Sequence, residues 1–157
     1  MAGADELMGR AVDEALRSAV APGGGPFGAI VARDGAVLGV GRNQVVALRD
    51  PTAHAEIVAI RAACARLESF QLAGCELYSS CEPCPMCLGA IYWARPRAVY
   101  YAATRADAAA AGFDDEFIYE ELALPAQARA LPLRRLSHPQ AGEPFDAWTA
   151  KPGRIDY

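Results

Sequence analysis

Two short runs carry most of the chemistry this chain could perform: His54-Ala55-Glu56 and Pro83-Cys84-Pro85-Met86-Cys87. An imidazole and two thiolates are the ligand types that zinc takes in a site that leaves a fourth position for water. Glu56 is then left over as a proton acceptor. Two thiolates cancel the formal charge of the ion, so its water is acidified less than in a three-histidine site, where the pKa falls to about 7, and a nearby general base is needed. The five cysteines are an odd set, with Cys81, Cys84 and Cys87 crowded together and Cys64 and Cys75 apart. That pattern suits metal ligation in a reducing compartment better than a disulfide framework. An open zinc site needs only three protein ligands, so Cys81 is expected to stand by.

These side chains need a particular scaffold. Two positions along a regular helix mean about 200° of rotation, so His54 and Glu56 cannot share a side face and can converge only around a helix end. Cys84 and Cys87 need the same placement, where free backbone N–H groups and the helix dipole favour thiolates. Asp50 as a cap and Pro51 as a first residue predict a helix that carries His54 and Glu56 and ends near Ser69, and Pro83 to Trp93 reads as a second. The strands expected around them are Phe27 to Arg33 and Ala36 to Arg42, a hairpin about Asp34-Gly35, then Glu76 to Ser80 and Arg97 to Ala103. Strand, helix, strand, helix, strand implies parallel strands joined by crossovers, which puts both helix starts at the carboxyl edge of the sheet. Phe27, Ala29 and Val31 alternate with Ile30 and Ala32, so the first strand is apolar on both faces and should be covered twice. A first amphipathic helix runs from Asp5 to Ala21, and the later chain reads as a helix over Phe113 to Leu122, a strand over Leu131 to Leu136 and a helix over Pro144 to Ala150.

The chain has 157 residues, of which 53% are hydrophobic, and a net charge of −4. That is enough for one core, and no linker or repeat divides it, so residues 1–157 are expected to form a single domain. The acidic balance argues against a phosphate-binding face and favours small substrates over nucleic acid. Met1 to Glu6 has no basic run leading into an apolar one, and no apolar stretch reaches membrane-spanning length. A cytoplasmic location is expected.

A His-x-Glu followed by Pro-Cys-x-x-Cys is the pattern of the zinc nucleobase deaminases. The chain resembles the cytidine deaminase-like superfamily and, within it, the bacterial guanine deaminases. The likeness takes in Gly25-Pro26-Phe27-Gly28-Ala29, Pro51-Thr52-Ala53-His54-Ala55-Glu56, the run from Cys81 to Ala94, and Ala111-Gly112-Phe113-Asp114-Asp115. The resemblance implies an α/β fold, a three-layer α/β/α sandwich around a mixed central sheet of about five strands. It implies hydrolysis of guanine to xanthine and ammonia, one zinc per subunit, and a homodimer in which a C-terminal segment of about residues 140–157 crosses to the partner. His54, Cys84 and Cys87 would be the zinc ligands and Glu56 the proton shuttle. Asn43 would grip the purine, Phe27 pack on its ring and Ala55 touch it. Asp115 would accept a hydrogen bond from it and share in proton transfer, and Tyr157 would cover the site. Two readings compete: another deaminase of the same fold, above all a tRNA-editing adenosine deaminase, and a zinc-stabilised binding module without turnover.

Overall fold

The computed structural model describes residues 2–156. Asp34 and Gly35 both have positive φ, 49° and 75°, the type I′ geometry that matches strand twist. They join β1 (Gly28–Arg33) to β2 (Ala36–Arg42) as an antiparallel hairpin with a register shift between Val31 and Ala32. The sheet has the order β2-β1-β3-β4, with β3 (Glu76–Cys81) antiparallel to β1 and β4 (Ala98–Ala103) parallel to β3. Strands β2, β3 and β4 therefore run the same way, as the strand-helix alternation predicts, and β1 lies inverted between β2 and β3.

Both faces of β1 are covered. Helix α1 (Ala4–Ala19) brings Leu7 and Ala11 against Ile30, Ala32 and Tyr78 on one side. On the other, Ala29, Val31 and Leu77 meet Ala55, Ala59 and Ala63 of α3 (Ala55–Leu67) and Ile91 and Ala94 of α4 (Pro85–Ala94). The result is an α/β/α sandwich. Small residues set its spacing. A Cβ on Gly41 would collide with the Ala55 carbonyl and come within 2.6 Å of the Ala59 nitrogen, and one on Gly39 would come within 2.8 Å of the Ala63 nitrogen. Helix α3 is thus pressed backbone to backbone onto β2, which fixes where its first residues end up.

Several boundaries differ from the sequence expectation. Helix α3 starts at Ala55 and not at Pro51, because the Asp50 carboxylate accepts from the Thr52 N–H at 2.8 Å and hydroxyl at 2.7 Å and caps a turn instead. A short helix α2 (Val45–Leu48) precedes that turn. Helix α4 likewise starts at Pro85, whose fixed φ suits a first helical position. Among the described residues the sheet has four strands and not about five. Leu131 to Leu136 forms no ladder. Pro132 lacks the N–H a ladder needs, and the adjacent Arg134 and Arg135 interrupt the alternation that would give the segment one apolar face.

After β4 come α5 (Arg105–Ala110), opened by a capping box between Thr104 and Asp107, then α6 (Glu116–Ala123), a 3₁₀ turn at Ala126–Ala128 and α7 (Glu143–Ala150). The chain forms two units, one up to Glu116 and one from Phe117 onward. The first holds the sheet and both cores. In the second, no described residue is buried. No helix among the described residues is long and apolar enough to cross a membrane.

Candidate active site

Helices α3 and α4 begin side by side at the carboxyl edge of the sheet. His54 is the residue before α3 and Cys84 the residue before α4, both in extended conformation, and neither side chain caps its own helix. The side chains turn toward each other. His54 Nδ1 lies 3.6 Å from Cys84 Sγ and 3.5 Å from Cys87 Sγ. All three ligand atoms lie within 4.8 Å of one another, and among the described residues they are the set able to hold a metal ion.

The electrostatics suit a cation. The Cys87 thiol, hydrogen-bonded to Cys84, holds the Cys84 sulfur down to about 4 against the penalty of burial, with His54 helping. Cys87 is correspondingly pushed well above the usual thiol value by Cys84 and by burial. His54 is raised, first through its hydrogen bond with Cys84. One thiolate held by two proton donors is a group in which a divalent ion replaces protons, and two sulfurs with one imidazole nitrogen are the donor set zinc prefers. Glu56 is outside the ligand set. It is only 6% exposed, and that burial raises its pKa, the direction expected of a carboxyl group that must both take and give a proton.

A cavity of about 480 Å³ opens over this group. His54, Glu56, Cys84, Asn43, Phe27 and Asp115 all line it, a size typical of small-molecule sites. The Asn43 carbonyl oxygen of the side chain accepts from the Val45 N–H at 3.3 Å, and its main-chain N–H donates to the Phe27 carbonyl at 3.2 Å. Gly25 lets the amide sit there, since a Cβ at that position would come within 3.2 Å of Asn43 Cγ. Asp115 is half-buried, which raises its carboxyl pKa. Cys87 is fully buried behind the cavity, and Ala55 lies in the core with Ala59 and Ala63, away from the lining. Tyr157 lies outside the described residues.

The cavity also holds residues that spacing did not single out: Phe113, Glu82, Arg105 and Val46. Phe113 stands edge-on to Phe27, with ring centroids 5.0 Å apart. It lies in the segment 111–115 that carries the resemblance, but its place in the cavity shows as a contact and not as a spacing. Cys81 lines the cavity too, but its thiol donates to the Thr104 carbonyl at 3.5 Å and is not among the metal ligands. No disulfide forms: all five cysteines are free.

Residues 1–103 match the family described as the cytidine and deoxycytidylate deaminase zinc-binding region. The chain belongs to this family of zinc-dependent deaminases, and His54, Cys84 and Cys87 are positioned to bind a metal ion. Among its relatives is the guanine deaminase of Bacillus subtilis (strain 168), 51% identical over 153 residues that make up 98% of each chain. The crystal structure of a Bacillus subtilis guanine deaminase superposes with a TM-score of 0.96 at 50% identity over 99% of both chains. A tRNA-specific adenosine deaminase of Aquifex aeolicus is 46% identical over 78 residues, 50% of this chain and 52% of the relative.

Proposed function

We propose that this protein hydrolyses guanine at its 2-amino group, giving xanthine and ammonia. The carrying observation is one cavity in which the zinc site, two carboxyl groups of raised pKa, Glu56 and Asp115, and the amide of Asn43 face the same space beside Phe27. A relative that aligns over nearly the whole chain, and bears the name guanine deaminase, supports the substrate.

Zinc held by His54, Cys84 and Cys87 supplies Lewis-acid activation of a water when bound. Glu56 takes the two protons of the attacking water in turn and delivers one to ring N3 and one to the departing amine, while the water oxygen stays on C2 and the 2-amino nitrogen leaves as ammonia. Burial leaves this carboxylate poorly solvated, so accepting the proton relieves an unfavourable charge. Asn43 offers both a donor and an acceptor to the mixed edge of the purine. Phe27 packs against the ring, and Asp115 accepts from a ring or exocyclic N–H and shares in proton transfer.

The same reading treats the chain as one deaminase domain, since that relative spans both units, and places it in the cytoplasm, as the five free thiols favour. It also makes the enzyme a homodimer with the segment of about residues 140–157 exchanged. The second unit supports this: none of its described residues is buried, and it exposes Leu131, Leu136, Phe145 and Ile155. A segment of that size without a core needs another surface.

Carboxylates at the cavity, Glu56, Glu82, Asp114 and Asp115, outnumber the single cation Arg105, which disfavours a phosphate backbone. Incubation with guanine should release ammonia and xanthine in equal amounts, and incubation with tRNA should yield no inosine. Inert guanine together with inosine in tRNA would reverse the assignment of substrate.

A further inference from the structure

Beside the active-site cavity lies a second one of about 330 Å³, lined chiefly by apolar side chains that include Val12, Leu16, Ala102 and Ala111. No role in the reaction falls to it. Phe27, Cys81, Ala108 and Phe113 line both cavities, so the two spaces adjoin at these side chains. Phe27 and Phe113 are the largest of these, crossing at 87° with centroids 5.0 Å apart, the edge-to-face arrangement that aromatic quadrupoles favour. They are anchored differently. Phe27 directly precedes β1 and accepts from the Asn43 N–H, whereas Phe113 follows Gly112 in a turn, donates its own N–H to the Ala108 carbonyl at 2.9 Å, and is 46% exposed. Phe113 is therefore the removable half of the wall.

We propose that Phe113 is a specificity-determining residue: its ring, set against Phe27, closes the active site on the side of the second cavity and confines the substrate to an unsubstituted purine. This rests on the guanine reading of the site. A substituent directed at this wall meets the Phe113 ring. With the ring gone, the same substituent enters a ready-made apolar space. Discrimination of this kind by an apolar wall amounts to about 10- to 200-fold per displaced methylene-sized group.

The test compares guanine with guanines bearing a benzyl group at N7, N9 or O6, all of which keep the 2-amino group, in wild type, Phe113→Ala and Phe113→Leu. The quantity read is the ratio of kcat/KM for each benzylguanine to that for guanine. For at least one of them the ratio should rise by about tenfold or more in Phe113→Ala, and by less in Phe113→Leu. Adding Leu16→Trp, which fills the second cavity from α1, should remove most of that gain. A ratio unchanged for all three compounds in both variants overturns the proposal, as does a gain that survives Leu16→Trp. Zinc content reports whether the metal site of each variant is intact, and Phe113→Leu keeps an apolar side chain in the turn should Phe113→Ala fail to fold. Failure of the wild type on guanine would instead strike the parent reading, so the two are separable.

Discussion

His54 and Cys84 stand in equivalent places on two different helices. Each precedes the first helical residue, with φ/ψ of −68°/157° and −65°/167°, and each carbonyl accepts the first intrahelical bond, from Val58 at 3.0 Å and from Leu88 at 2.8 Å. The helices part company at the second functional residue. Cys87 is three positions after Cys84, about 300° around the helix and so nearly back on the same side, and both sulfurs reach the imidazole. Glu56 is only two positions after His54, about 200° around, and stays out of the ligand group. One residue of spacing thus decides whether a helix start supplies two ligands or one ligand and one base. A deaminase site needs both.

The bluntest way to break this pairing is to remove either leading ligand. His54→Ala and Cys84→Ala should each lose zinc by elemental analysis and lower kcat/KM by at least about a thousandfold, because Lewis-acid activation is worth several kcal/mol. Chelation of the wild type should do the same to turnover and leave most of the helical circular dichroism, since both cores are built from residues other than the three ligands. Unfolding on chelation would make the zinc structural and end the asymmetry between the helices.

A finer cut falls on the base alone. Glu56→Gln should keep one zinc per chain and lose about 10²- to 10⁴-fold in kcat, the usual worth of a positioned proton-transfer group. Shifting the carboxyl group one place, as Ala55→Glu with Glu56→Ala, rotates it by about 100° and should restore nothing. Recovery there would mean that the spacing does not matter.

The glycines under α3 offer a third lever, smaller again. Gly41→Ala places a Cβ against the Ala55 carbonyl, and overpacking of this kind costs about 1–3 kcal/mol. The melting temperature should fall, and kcat/KM should fall with zinc still bound, because the displaced backbone carries Glu56. No glycine of α4 is pressed in this way: a Cβ on Gly89 meets nothing within 4 Å.

Much of this arrangement is legible in the sequence because it depends on local rules. The Asp34-Gly35 turn, the doubly apolar β1 and the run of alternating strands and helices place both motifs at one sheet edge. Rotation per residue alone requires His54 and Glu56 to lie at a helix end. The reading fails where a distant partner decides. Asp50 is a good cap for a helix and an equally good cap for a turn, and Thr52 settles which. Leu131 to Leu136 has strand-like apolar residues, but a strand needs a ladder, and Pro132 with Arg134 and Arg135 leaves it without one. Phe113 reads as the start of a helix over Phe113 to Leu122, but that helix begins at Glu116, and the place of Phe113 in the cavity follows from the path of the preceding turn.

Cys81 sharpens the comparison with the smallest effect of all. By spacing it is as eligible as Cys87, since it stands three residues from Cys84 on the other side. Geometry separates them. Cys87 lies in the first turn of α4, whereas Cys81 closes β3 in register with Ala103, so the strand and not the helix start sets its direction. Its thiol donates to the Thr104 carbonyl at 3.5 Å and is not among the three ligand atoms that gather within 4.8 Å of one another. Cys81→Ala should therefore keep a full complement of zinc and lose only about 1 kcal/mol of stability, the scale of one weak buried contact, whereas Cys87→Ala should lose the metal. Equal zinc loss from both variants would show that ligation follows sequence spacing here and not position relative to the helix start.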